Sequence, residues 1–164
     1  MTLSFAPNFP LAELIFSNTA RERGIDNTPT PQARAKLEHL SWALQSVRNT
    51  IARALLISSG YRNRVLNKAV GGVSNSRHLD GDAVDIRVSG WDGEAVKALI
   101  AAMVKAGFRG FGLGTDKAGN VSFLHGDLRT APTVWLYNGG RVGKWSTLLG
   151  RDPVATVRQM LART

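Results

Sequence analysis

Two histidines and one aspartate carry the chemistry this chain offers: His78, Asp85 and His125. Residues 83–88 alternate as a half-buried strand does. Val84, Ile86 and Val88 take the core face, and Ala83, Asp85 and Arg87 take the other. Residues 123–128 read the same way, with Leu124 and Leu128 inward and Phe123, His125 and Asp127 opposite. If the two strands lie close in one sheet, Asp85 and His125 converge on one point. His78 stands just before its strand, in a loop that Gly81 lets bend back over it. Two imidazoles and one carboxylate, with a fourth position left for water, make a catalytic type of zinc site. One zinc ion per chain is therefore expected. These donors suit zinc best, though they also accept other divalent ions. An unpaired carboxylate between apolar neighbours is costly, and a metal removes that cost at Asp85.

Such a site needs a scaffold, and the periodicities supply one. Residues 10–23 predict a short amphipathic helix with Leu11, Leu14 and Ile15 on one face. Residues 24–31 are dense in turn residues and predict a surface loop without chemistry. Residues 31–51 hold the longest helical pattern, with Leu37, Leu40, Leu44, Val47 and Ile51 at spacings of three and four. His39 falls off that stripe and reads as an exposed helix residue. Residues 54–58 predict a buried strand with Arg62 at its mouth, and residues 64–70 one or two helical turns. Residues 71–77 form the loop that delivers His78. Residues 93–106 predict a helix that Gly107 ends. The glycine-rich residues 108–114 predict a strand beside the zinc strands, followed by a turn over 114–120. Residues 134–142 carry Asn138-Gly139, a hairpin signal. Asp152-Pro153 opens a last helix, with Asp152 as N-cap and proline next. No repeat, linker or low-complexity tract interrupts the chain, so one domain over residues 1–164 is expected.

Composition bounds the class. The chain has 164 residues, 43% hydrophobic and 20% charged, ordinary for a globular domain with a core. No apolar segment is long enough to span a membrane. The first residues lack a basic region followed by an apolar core, so no secretory signal peptide is expected. There are no cysteines, which removes disulfides and thiolate ligands. An H-E-x-x-H pattern is also missing, which excludes the helical type of zinc protease site. The net charge of +9 draws the protein to polyanions. The basic residues are scattered and no nucleic-acid motif accompanies them, so an anionic cell wall is the expected partner rather than a specific nucleic acid. A solvated basic surface is the bland alternative.

The strings Ser59-Gly60-Tyr61-Arg62, Leu66-Asn67, Gly71-Gly72, S-x-H-x-x-G-x-A-x-D from Ser76 to Asp85, and F-x-H-x-D from Phe123 to Asp127 resemble a known family. It is the zinc peptidases of the D-alanyl-D-alanine carboxypeptidase and L-alanyl-D-glutamate endopeptidase type, which share a fold with the hedgehog signalling domain. The resemblance covers most of residues 9–135. It implies an α+β domain with a small, mainly antiparallel sheet flanked by helices, and a metallopeptidase acting on peptidoglycan stem peptides. It also implies that Arg62 steadies the substrate carbonyl oxygen as it gains charge. Ser76 is expected either to hydrogen-bond substrate or to shape its loop. In several relatives an acidic residue or a histidine stands three positions before the last zinc histidine. Here Ser122 stands there, and it cannot act as a base. Asp127 is then the expected general base, with the alternative that it orients a zinc histidine. Asp80 and Asp82 read as turn residues or partners of the ligands.

The resemblance, the charge and the missing leader together imply a monomeric phage-type endolysin or virion lytic protein. It would be made in the host cytoplasm and act at the wall after release. Two rivals come from other classes. One is a non-catalytic zinc module that binds the wall, and the other is a basic polyanion-binding structural protein with incidental histidines.

Overall fold

A computed structural model describes residues 4–137 and 144–163. A five-stranded sheet carries the site. Its strands are β1 (Ile57–Ser59), β2 (Ala83–Arg87), β3 (Gly110–Thr115), β4 (Val121–Asp127) and β5 (Thr133–Leu136), in the spatial order β1-β2-β4-β3-β5. All neighbours are antiparallel except β3 and β5, which are parallel. The class is α+β, as expected. The helices are α1 (Leu11–Leu14), α2 (Asn18–Arg23), α3 (Pro31–Ile51), α4 (Arg64–Ala69), α5 (Gly93–Lys105), α6 (Trp145–Leu149) and α7 (Pro153–Ala162).

Alternation divides the sheet into two faces. Val84, Ile86, Leu124, Phe111 and Leu113 turn inward and join one core with Leu37, Leu40 and Leu44 of α3 and Val96, Leu99, Ile100 and Met103 of α5. The opposite face bears Asp85 and Arg87 from β2, and Phe123, His125 and Asp127 from β4. The register pairs Ala83 with Asp127, Asp85 with His125 and Arg87 with Phe123. On this face β3 presents only Gly110, Gly112 and Gly114. A Cβ at Gly110 would overlap the Asp127 carboxylate, at Gly112 the rings of Trp135 and Tyr137, and at Gly114 the ring of Phe123. The bare glycine floor is what lets these side chains lie across the sheet.

Helix α3 spans the residues its stripe predicts, with Thr30 capping its N-terminus and proline next. His39 is exposed on it, as expected. Helix α5 ends where Gly107 takes a left-handed φ of 99°. Asp152 caps α7 by accepting from the Ala155 amide.

Several expectations need correction. The helix expected over 10–23 breaks in two, because the Ser17 side chain caps a new start by accepting from the Ala20 amide. The strand expected over 54–58 begins only at Ile57 and lies at the sheet edge, with Leu56 62% exposed. The loop over 24–31 is not wholly superficial. Asn27 is buried, donates to the Ile15 and Tyr61 carbonyls and accepts from the Asn63 amide. Helix α6 had no sequence expectation. Trp145 anchors it, fully buried and donating from Nε1 to the Gly114 carbonyl at 3.2 Å. The Asn138-Gly139 hairpin signal lies outside the described residues. The described part, β5, pairs in parallel with β3.

Gly60 shows how tightly the segment before Arg62 is held. The Tyr61 amide donates to the Leu14 carbonyl at 2.7 Å, and a Cβ on Gly60 would overlap that same carbonyl. Gly60→Ala should therefore cost about 1–3 kcal/mol of stability, as overpacking does. At roughly 2–4 °C per kcal/mol for a chain of this size, thermal unfolding followed by circular dichroism should show the loss. An unchanged midpoint would mean that α1 is free to move away.

Candidate metal centre

Three ligand atoms meet on the glycine-floored face. His125 Nδ1 stands 2.8 Å from Asp85 Oδ1 and 3.2 Å from His78 Nε2, and His78 Nε2 stands 3.3 Å from Asp85 Oδ1. Ligands of a tetrahedral zinc at ~2.0–2.1 Å lie roughly 3.3 Å apart, so the triangle has nearly the size of one face of that tetrahedron. Both histidines are buried, and the Asp85 side chain is 14% exposed. Among the described residues these three form the one group of acidic and imidazole side chains whose atoms could hold a metal ion.

The inward-facing nitrogens are chosen by what holds the other side of each ring. His78 Nδ1 donates to the Gly60 carbonyl at 2.6 Å, which leaves Nε2 as the lone-pair nitrogen facing inward. In return the Arg62 amide donates to the His78 carbonyl at 3.1 Å. The Gly60–Arg62 segment and the 3-10 turn Arg77–Leu79 are thus sewn together at the ligand. His125 Nε2 donates to Asp127 Oδ2 at 3.1 Å, so Nδ1 is the nitrogen that faces the triad. Such outer partners fix tautomer and ring orientation in metal sites. The donor set, the triangle and the tautomers all fit a zinc ion.

The His78 turn has its own anchor. Arg77 pairs with Asp82 and with Asp80, and Asp82 also pairs with Lys36 of α3 at 3.5 Å. Gly81 has φ 79° and sits so close to α3 that a Cβ would overlap the Ala33 carbonyl. Asp80 and Asp82 therefore act on the turn and not on the ligands.

Electrostatics follow the same arrangement. Burial lowers the His78 pKa from its ordinary value, against the pull of Asp85. Burial opposes charge on His125 too, but its bonds to Asp127 and Asp85 outweigh this and raise its pKa. Asp85 resists burial and stays well below the usual carboxylate range because both histidines face it. Asp127 is fully buried, yet Arg129 and His125 hold it well below that range as well. Arg129 reaches it from Nε at 2.7 Å and from its terminal nitrogen at 2.6 Å.

The expected site residues fall into place unevenly. Arg62 lies beside the triad, 3.7 Å from Asp85 Oδ2, with its Nε buried and without a hydrogen-bond partner among the described residues. Asn67 stands 3.5 Å from the Arg62 guanidinium and is itself held by donating to the Val73 carbonyl. A Cβ on Gly72 would overlap that amide. Ser76 is half-buried at the start of the 3-10 turn, and its side chain makes no capping bond there. Asp127 is bonded to the ring nitrogen of His125 turned away from the triad, and Arg129 occupies its remaining capacity.

Sequence reasoning missed Asn67 as a prop, Arg129 as the counterion of Asp127, and the aromatic wall of Trp135 and Tyr137 beside His125. Burial and the Asp85 charge push the Tyr137 phenol up to about 12, so it remains a donor. Arg129 was within reach of sequence reading, since it shares a strand-like alternation with Asp127. The aromatic wall had no comparable signal.

Comparison with known proteins is consistent with this geometry. A family model described as Peptidase M15 matches residues 7–125. The chain is also similar to the zinc D-Ala-D-Ala carboxypeptidase of Streptomyces albus G. The two are 35% identical over 80 residues, which is 48% of this chain and 31% of that protein. The chain thus spans about a third of the length of this curated relative.

Zinc titrated against a competing chelator should bind at one ion per chain, and His78→Ala or Asp85→Ala should abolish stoichiometric binding. In the metal-free protein the raised pKa of His125 keeps a proton on its ring to higher pH than usual. Zinc must displace that proton, so affinity should fall as pH is lowered through and above the ordinary histidine range of about 6.5, with proton release on binding. Affinity independent of pH between 6 and 8 would contradict this ligand set.

Proposed function

The chain belongs to the peptidase M15 family, and we propose that it is a zinc metallopeptidase that hydrolyses peptide bonds in peptidoglycan stem peptides. The bond is of the D,D-carboxypeptidase or L-alanyl-D-glutamate endopeptidase type, and the context is a phage-type endolysin or other wall-lytic enzyme. The catalytic unit is one domain over residues 1–164, working as a monomer at the cell wall. The observation that carries this reading is the convergence of His78 Nε2, Asp85 Oδ1 and His125 Nδ1 beside a guanidinium with a free Nε. No described helix is long and apolar enough to cross a membrane.

Zinc held by His78, Asp85 and His125 would supply a Lewis acid that polarises the scissile carbonyl and makes water a better nucleophile at neutral pH. Water adds to the amide carbon, the C–N bond breaks, and the products are a carboxylate and an amine. Arg62, its backbone amide bonded to the His78 carbonyl and its guanidinium beside Asn67, aims a half-buried cation at the oxygen that gains charge. Tyr137 can donate a hydrogen bond from the aromatic side of the site. Asp127 works as a positioning residue rather than as the base, because its oxygens are bonded to His125 Nε2 and Arg129.

A second reading, a non-catalytic zinc module that binds the wall, has one observation in its favour. Among the described residues, no further carboxylate or imidazole joins the group of His78, Asp85 and His125 that could hold a metal. Ser122 engages its neighbours through its backbone carbonyl, accepting from the Val88 amide and the Ser89 hydroxyl. Mass spectrometry of purified peptidoglycan after incubation decides between the two: new stem-peptide fragments with a single cut support the enzyme, and an unchanged wall supports the module.

Two substitutions test the roles. Arg62→Ala should retain zinc and fold while turnover falls by roughly two to three orders of magnitude. Turnover within a few-fold of wild type would reduce Arg62 to a surface residue. Asp127→Asn should weaken zinc binding by roughly ten- to a hundredfold, with excess zinc restoring much of the rate. If zinc affinity is unchanged and the rate instead drops by roughly a hundredfold or more, Asp127 is the base.

A further inference from the structure

A groove of about 480 Å³ opens beside the triad, between β1 and the start of α2. Its lining includes Asp85, Arg62 and Arg87. β1 is an edge strand with a partner on one side only, so its outer backbone groups face the groove. The remaining polar lining is neutral, with hydroxyls from Ser58, Ser59 and Thr19 among it. Such a surface suits a peptide backbone, and an extended peptide adds readily to a free edge.

The charge balance of the groove points further. Asp85 is its only carboxylate, and that group is engaged by both histidines. Arg62 is turned to the triad. Arg87 is exposed and forms no ion pair among the described residues. It lies two residues along β2 from Asp85 on the same face, about 7 Å further on. That is two residues' length of an extended peptide.

We propose that the groove takes the substrate as an added strand beside β1, and that Arg87 binds a carboxylate of that peptide within two residues of the scissile bond. The proposal rests on the peptidase reading, which it deepens by assigning an anionic peptide to the site. A guanidinium without a partner is suited to bidentate capture of a carboxylate. Ser76 does not line this groove.

The test uses zinc-loaded protein and three fluorescently labelled forms of the stem pentapeptide L-Ala-D-Glu-L-Lys-D-Ala-D-Ala. One is free, one has the D-Glu α-carboxylate as an amide, and one has the terminal carboxylate as an amide. Binding is recorded by stopped-flow anisotropy before turnover. Wild type should bind the free peptide more tightly than one of the two amides, by roughly tenfold to a hundredfold, the usual worth of a charge-assisted bond. In Arg87→Ala that preference should vanish through weaker binding of the free form alone, and Arg87→Lys should keep part of it. Wild type without a preference overturns the proposal. So does Arg87→Ala with the preference intact, or with all three peptides weakened alike. Hydrolysis is followed on the same preparations. A wild type that shows the preference but cuts nothing keeps the subsite and removes the peptidase reading, so the two failures are distinguishable.

Discussion

The register between β2 and β4 is the constraint on which the rest depends. It puts Asp85 opposite His125 in the middle of the sheet. Because side chains alternate with a period of two, a slip of one residue would send His125 into the core and Gly126 to the site. The core guards against that slip. Ile86 and Leu124 are fully buried opposite each other, and Gly126 packs so close to Met103 and Phe108 that a Cβ would overlap the Met103 methyl. Hydrophobic packing on one face thus sets ligand placement on the other, and no metal is needed to choose the register.

Register alone brings two ligands together, and the tautomers are a separate matter. Each imidazole has one nitrogen fixed by a partner outside the triad: the Gly60 carbonyl for His78 and the Asp127 carboxylate for His125. The first partner is neutral and the second is anionic. Burial accordingly wins at His78 and lowers its pKa, while the carboxylates win at His125 and raise it. A buried carboxylate without a counterion would be expensive, so Asp127 in turn requires Arg129. That chain from Arg129 through Asp127 to His125 fits only because Gly110 leaves the carboxylate its space.

Asp85 and His125 were legible because they sit on alternating strands, where spacing alone gives the face. The α3 stripe, the Gly107 stop and the Asp152 cap were legible for similar reasons, since each is a local rule with a local signal. Most of what was not legible came from contacts distant in sequence, although the Ser17 cap is local. The Ser17 cap outweighed a continuous amphipathic pattern. Leu56 reads as core by type and is exposed because β1 lies at the edge, a matter of topology. The alternating glycines of β3 suggested a strand, but not that its bare face would hold Trp135 and Tyr137. Asp127 shared a face with His125 as expected. Strand periodicity says nothing about which ring nitrogen of His125 it meets.

The basic charge can also be divided by distance. A net charge of +9 acts on any polyanion as a whole, but at physiological salt the field of scattered surface charges is screened within about 8 Å. Such charge raises encounter without choosing a bond. Selection has to come from charges held close to the site. Arg62 is one, 15% exposed in its side chain and fixed by backbone and amide contacts. Arg77 and Arg129 are also near, but each is already tied to a carboxylate and serves to hold a loop or a ligand. Arg87, exposed on the same face, forms no ion pair among the described residues. Of the many basic residues in this chain, those on the triad's face without an ion pair among the described residues are the ones left to meet a ligand there.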